Sequence, residues 1–205
     1  MKILCVAKNY VDHAIEMGAA KPPSEPVFFL KPDSAMLQKN MPFFYPDFST
    51  EIHHEIEVVV RIEKLGKSIE ERFAPKYYTS VALGIDFTAR DLQAKAKAAG
   101  QPWAVSKGFD GSAVLSDFVP LEKLGKDANN LDFYLLKNGV EVQHGNTNKL
   151  VFNINHLISN ISKFMTLKTG DLIYTGTPAG VGPVQIGDTL EGFLEGRQLL
   201  TCRIK

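Results

Sequence analysis

The chain has 205 residues, 44% of them hydrophobic, with 23 Lys and Arg against 23 Asp and Glu. That length suits one domain over residues 1–205 with enough apolar side chains for a real core. Zero formal net charge removes the electrostatic case for nucleic acid or an anionic membrane as partner, and two cysteines, Cys5 and Cys202, are too few for a disulfide framework or a zinc site.

Met1 to Ala7 reads as a first strand, and its apolar run is shorter than a signal-peptide core. No segment approaches membrane-spanning length, so a reducing cytoplasm is the expected compartment. Residues 8–17 read as a loop entering a short helix, with Asp12 as a candidate N-cap and Gly18 as the stop. A Pro-rich irregular stretch over 21–26 leads to the strand-like Val27-Phe28-Phe29-Leu30. Three prolines over 31–50 predict loops and short strands. One strand is expected from Glu51 to about Glu63, and another from Tyr78 to Phe87. The clearest helix spans Ala89 to Ala99, with Thr88 as its cap, Asp91 near its start and Gly100 at its end. Strands near 132–137 and 141–143 turn at Asn138-Gly139, a hairpin signal. Asn155 to Phe164 reads as an amphipathic helix, and 171–205 as strands broken by glycine turns.

Within the strand from Glu51, alternation puts Glu55 and Glu57 on one face and Ile56, Val58, Val60 and Ile62 on the other. Two like charges at the edge of a core need a proton, a cation or a metal ion to neutralise them. A hard divalent cation is the best candidate, and Asp86, at the end of an apolar run, is a natural third ligand. Position alone serves equally well to make Asp86 the cap of a turn. His13 and Glu16 share a helix face at i and i+3, the arrangement in which a carboxylate orients a general-base imidazole. Read alone, that pair is an ordinary surface pair, and Lys107 a solvated lysine at a strand edge. His54 points away from Glu55, toward packing or support of the residues around the site.

Taken in order, Asp12-His13-Ala14-Ile15-Glu16-Met17, Glu25-Pro26-Val27-Phe28-Phe29-Leu30-Lys31-Pro32 and His54-Glu55-Ile56-Glu57 form a familiar series. It continues through Asp86-Phe87-Thr88-Ala89-Arg90-Asp91-Leu92-Gln93, Trp103 to Asp110 and Thr175-Gly176-Thr177-Pro178-Ala179-Gly180-Val181-Gly182. The series closely resembles the fumarylacetoacetate hydrolase superfamily over nearly the whole chain, and within it the short acylpyruvate hydrolase and oxaloacetate decarboxylase branch.

The resemblance implies an α+β, β-rich fold: a rolled mixed β-sandwich with a few peripheral helices. It implies Mg²⁺ or Mn²⁺ held by Glu55, Glu57 and Asp86, catalysis by His13, Glu16 and Lys107, and a homodimer. Substrate contacts are expected from Arg90, Gln93, Thr177 and Lys8. The implied reaction is hydrolysis or decarboxylation of a 2-keto acid, a 3-acylpyruvate or oxaloacetate, through a pyruvate enolate that the metal stabilises. Isomerisation or decarboxylation of an unsaturated 2-keto diacid uses the same enolate and stays open, as does a non-catalytic keto-acid-binding protein. One departure stands out: Ala7-Lys8 replaces the Gly-Arg of many relatives, and lysine lacks the planar fork of arginine.

Overall fold

The computed structural model describes residues 1–18, 21, 23–39 and 41–205; Pro22 of the Pro-rich stretch lies outside the described residues. Strand β1 (Ile3–Ala7) leads into helix α1 (Val11–Glu16) and strand β2 (Val27–Lys31). Next come β3 (Ile52–His54), β4 (Ile56–Arg61), β5 (Ser80–Asp86), the short β6 (Thr88–Ala89) and helix α2 (Arg90–Ala98). One-turn α3 (Ala104–Lys107), β7 (Ala113–Leu115), β8 (Val119–Pro120) and α4 (Leu121–Leu124) precede the hairpin of β9 (Asp132–Lys137) and β10 (Val140–Asn146). Helix α5 (Ile154–Phe164), β11 (Leu172–Tyr174), β12 (Gly182–Pro183) and the hairpin of β13 (Thr189–Leu194) and β14 (Arg197–Arg203) follow.

The strands form three sheets, ordered β2-β1-β11-β4-β5-β7 with β8 also on β5, β10-β9-β13-β14, and β12-β3-β6. This is the β-rich α+β architecture expected. Alternation along β4 sets the layering. Ile56, Val58 and Val60 enter the main core with Leu83, Phe133, Leu190 and Leu157 of α5, while Val59 joins a smaller cluster with Ile3, Cys5, Ala82 and Tyr174. Glu57 lies on the Val59 side, opposite Gly84 of β5. A Cβ at Gly84 would collide with the Tyr174 ring and the Val59 side chain, so the missing side chain is what lets that ring pack against β5.

Several local expectations hold. Asn138 and Gly139 both adopt left-handed φ, 53° and 80°, as a two-residue hairpin turn of the primed type requires. Helix α5 starts where the Asn153 side chain accepts the His156 N–H at 2.8 Å.

Three differ. The strand expected over 51–63 is two strands, because the chain leaves the small sheet after His54 and enters the large one at Ile56. Glu55 sits at that crossing, its carbonyl still accepting the Asp86 N–H at 2.9 Å. Thr88 does not cap α2: its backbone pairs with His53 in β6, and its hydroxyl donates to the Asp86 carbonyl. Asp12 lies inside the first turn of α1, since Tyr10, held extended by a bridge to Leu150, takes the N-cap position.

Candidate active site

The crossing at Glu55, the middle of β4 and the end of β5 bring three buried carboxylates together. Ligating oxygens of Glu55, Glu57 and Asp86 all lie within 4.8 Å of one another. Glu57 Oε2 accepts the Gly176 N–H at 2.7 Å. Gly176 has φ +112°, and a Cβ there would lie 2.7 Å from Asn9 Cβ, so glycine is what brings this N–H to the carboxylate. Glu55 is flanked by cations: Arg90 Nη2 donates to Oε1 at 2.6 Å and Lys107 Nζ to Oε2 at 2.8 Å. Lys107 also donates to Asp86 Oδ2 at 2.8 Å.

Charge and burial compete here, and the three titrating groups that shift do so differently. Burial works to raise the Glu55 carboxyl, but Lys107, Arg90 and His13 outweigh it and hold it well below the usual carboxylate range. Glu57 lacks such partners: burial, then the Asp86 and Glu55 charges, push it well above that range. Burial would depress Lys107, yet Asp86 and Glu55 overcome that and keep its ammonium charged.

The donor set fits a hard divalent cation. All three side chains are carboxylates, each with more lone-pair sites than its present hydrogen bonds use. Asp86 Oδ1 is buried and accepts no hydrogen bond among the described residues; Lys31 Nζ approaches it to 2.7 Å as an ion pair only, outside hydrogen-bond geometry.

The other expected residues gather on the same cleft. His13, Lys8, Arg90, Gln93, Lys107 and Thr177 line it beside the three carboxylates. Glu16 stands behind His13, with Oε2 3.2 Å from Nδ1, and its carboxylate accepts the Gly180 N–H at 3.1 Å. That contact ties α1 to the loop after β11. Arg90 Nη1 donates to Gln93 Oε1 at 2.7 Å, so the Gln93 carbonyl oxygen serves the arginine. Thr177 donates to the Ile56 carbonyl at 2.8 Å and accepts from Gln143 Nε2 at 2.9 Å, so its hydroxyl is largely committed to the scaffold. Lys107 is not a solvated strand-edge lysine; it is the buried last residue of α3.

Two supports were not singled out from sequence. Lys31 is buried at the end of β2, and its ammonium meets Asp86, the Ser112 hydroxyl at 2.9 Å and the Lys107 carbonyl. Its signal was a lysine closing an apolar strand. Gln143 Oε1 accepts from His54 Nδ1 at 2.8 Å and the Ile56 N–H at 3.1 Å. Burial depresses His54 to about 4, so the ring is neutral, and through Gln143 it supports the backbone beside the site. No local pattern in the sequence marks Gln143, whose partners are 34 to 89 residues away.

Residues 2–205 match the family described as fumarylacetoacetate (FAA) hydrolase C-terminal. The chain belongs to the fumarylacetoacetate hydrolase family. A mitochondrial oxaloacetate decarboxylase of Dictyostelium discoideum is 45% identical over 196 residues, 95% of this chain and 89% of that protein. An oxaloacetate tautomerase of Escherichia coli is 41% identical over 200 residues, 98% of this chain and 91% of that protein. Among solved structures, a fumarylacetoacetate hydrolase family protein from Yersinia pestis superposes with a TM-score of 0.94 at 42% identity, covering 100% of this chain and 93% of that one. A fumarylpyruvate hydrolase from Pseudomonas aeruginosa, in complex with Mn²⁺ and pyruvate, superposes at 0.93 with 34% identity, covering 100% and 89%. Family membership accounts for the collinear motifs along the whole chain. Among the described residues, no helix is long and apolar enough to cross a membrane.

Proposed function

We propose that this family member is a divalent-metal-dependent enzyme that cleaves a 2-keto acid, a 3-acylpyruvate or oxaloacetate, by hydrolysis or decarboxylation at the carbon next to the keto group. The observation that carries the reading is the convergence of the Glu55–Glu57–Asp86 cluster and the His13–Glu16 pair on one cleft. Glu55, Glu57 and Asp86 would hold the cation, Mg²⁺ or Mn²⁺, which when bound supplies Lewis-acid stabilisation of the negative charge that develops on the keto acid.

The protein's own groups do the rest. With Nδ1–H directed at Glu16, His13 Nε2 carries the lone pair and accepts a proton from water or from carbon. Glu16, fixed by the Gly180 N–H, holds the ring in that tautomer and offsets the imidazolium charge. The Lys107 ammonium, buried and charged, stabilises enolate character at the reacting end of the substrate. Phe29 and Trp103, which pack edge-to-face with centroids 5.9 Å apart, wall the cleft and limit water.

A second reading, a tautomerase that moves a proton between carbon and the keto oxygen, is favoured by the name of the Escherichia coli relative and needs the same base. Proton NMR of oxaloacetate and acetylpyruvate with wild type, His13→Ala and Glu57→Gln, with Mn²⁺ or chelator, separates them: cleavage yields pyruvate, tautomerisation only faster keto–enol exchange. The proposal includes a cytoplasmic homodimer; two free, buried thiols at Cys5 and Cys202 support the compartment, and light scattering of the purified protein tests the assembly.

A further inference from the structure

Lys31 has no task in the chemistry above, although its side chain is wholly buried beside the carboxylate cluster. Five oxygens surround its ammonium within 3.3 Å: the carbonyls of Phe87, Lys107 and Ser112, the Ser112 hydroxyl and Asp86 Oδ1. The Phe109 ring, its centroid 5.8 Å away, closes a further side. An ammonium carries three N–H groups, fewer than the oxygens around it. The contact with Asp86 Oδ1 at 2.7 Å is Coulombic, outside hydrogen-bond geometry. Carbonyls, a hydroxyl and a carboxylate arranged this way replace the water shell of a monovalent cation.

The cage joins the elements that build the site. Lys31 ends β2, Asp86 ends β5 with Phe87 just after it, Lys107 ends α3, and Ser112 directly precedes β7. The last carbonyls of a helix lack partners within it, and Lys31 supplies one to the Lys107 carbonyl. The Ser112 hydroxyl donates to that same carbonyl at 2.8 Å and accepts from Lys31. Lys31 thus grips Lys107 by its backbone while the Lys107 ammonium reaches Glu55 and Asp86. It also draws Asp86 Oδ1 toward itself, which leaves Oδ2 for Lys107. Packing alone does not call for this charge, since an apolar side chain fills a buried space at lower cost.

We infer that Lys31 is a positioning residue that acts as a tethered monovalent cation, fixing Asp86 and Lys107 relative to each other, and that its oxygen cage is a K⁺ or NH₄⁺ site once the side chain is removed. The positioning role rests on the metal-binding function proposed above for Asp86; the cage does not.

Lys31→Ala empties the cage, and Lys31→Met keeps it filled with a neutral chain. Thermal unfolding in chelator and Mn²⁺ affinity by calorimetry are measured in KCl, NH₄Cl and tetramethylammonium chloride at equal ionic strength. In tetramethylammonium, an ion too large for the cage, both variants should melt roughly 6–20 °C below wild type. Both should also bind Mn²⁺ about 10–100-fold more weakly. K⁺ or NH₄⁺ should bring Lys31→Ala most of the way back in melting and in Mn²⁺ affinity, and should move Lys31→Met no more than wild type. Equal melting of Lys31→Ala in the three salts, or no folded protein in any of them, overturns the cage. Mn²⁺ affinity unchanged from wild type in both variants overturns the positioning role. A wild type that binds no Mn²⁺ removes the metal reading and that role with it, while the chelator arm still decides the cage.

Discussion

Glu57→Gln should stabilise the protein without metal and destabilise it, relative to wild type, with metal. Glu57 is buried, its carboxylate opposed by Glu55 and Asp86, and among the described residues a single backbone N–H is its hydrogen-bond donor. At 4.8 Å, the outer limit on the separation of these oxygens, two unit charges repel by about 3 kcal/mol at an effective dielectric constant of about 20. Lys107 and the other cations offset part of this, and protonation of Glu57 caps it, leaving a burden on the order of 1–3 kcal/mol. The folded carboxyl titrates above its unfolded value, so this burden is absent at low pH and appears as pH rises through the folded pKa. Glutamine keeps an acceptor for the Gly176 N–H and removes the charge. Thermal unfolding at pH 8 in chelator should therefore rise by roughly 2–12 °C, taking about 2–4 °C per kcal/mol for a chain of this size. With Mn²⁺ at about 100 times its Kd, wild type gains about 2.7 kcal/mol and the variant little. A variant that melts below wild type in chelator, or gains as much from Mn²⁺, refutes the reasoning.

Three further outcomes follow from the same geometry. His13→Ala should lower kcat on the proposed keto acids by about 10²–10⁴ with little change in unfolding midpoint, since the role assigned to the ring is proton transfer. Gln143→Leu removes the partner of the His54 ring, the Ile56 N–H and the Pro178 carbonyl, and should cost on the order of 2–4 kcal/mol in urea unfolding; a loss below about 1 kcal/mol counts against the network. His54 must stay neutral when folded, with its pKa depressed from 6.5 to about 4. The unfolded chain takes up that proton first, so about 3 kcal/mol of stability present at pH 7 is lost as pH falls from 6.5 toward 4. His54→Gln should flatten that slope in denaturant titrations at pH 7 and 5.

Much of the site was legible because its residues sit in short motifs whose spacing has local meaning. Alternation alone put Glu55 and Glu57 together, and the apolar run ending at Asp86 pointed to the third carboxylate of the cluster. The break at Glu55 was hidden because the apolar pattern runs on through a change of sheet, and pairing partners, not side-chain hydrophobicity, end β3. Thr88 looked like a cap because it precedes a helix-forming run; pairing with His53 claimed its backbone instead. Lys107 read as a surface lysine because nothing local shows that α3 turns it toward Glu55 and Asp86. Lys31 and Gln143 serve partners far along the chain, so only the assembled fold reveals them.

The account stands most directly on oxaloacetate followed by proton NMR with purified protein, Mn²⁺ and chelator in parallel. Expected are loss of oxaloacetate far faster than in the protein-free control with Mn²⁺ at the same concentration, appearance of pyruvate and return to the control rate in chelator, and for acetylpyruvate, whose hydrolysis needs the base, a His13→Ala rate below wild type by about 10²–10⁴. Wild type that leaves oxaloacetate and acetylpyruvate at the control rate with Mn²⁺ bound, or accelerates their loss equally in chelator, contradicts it.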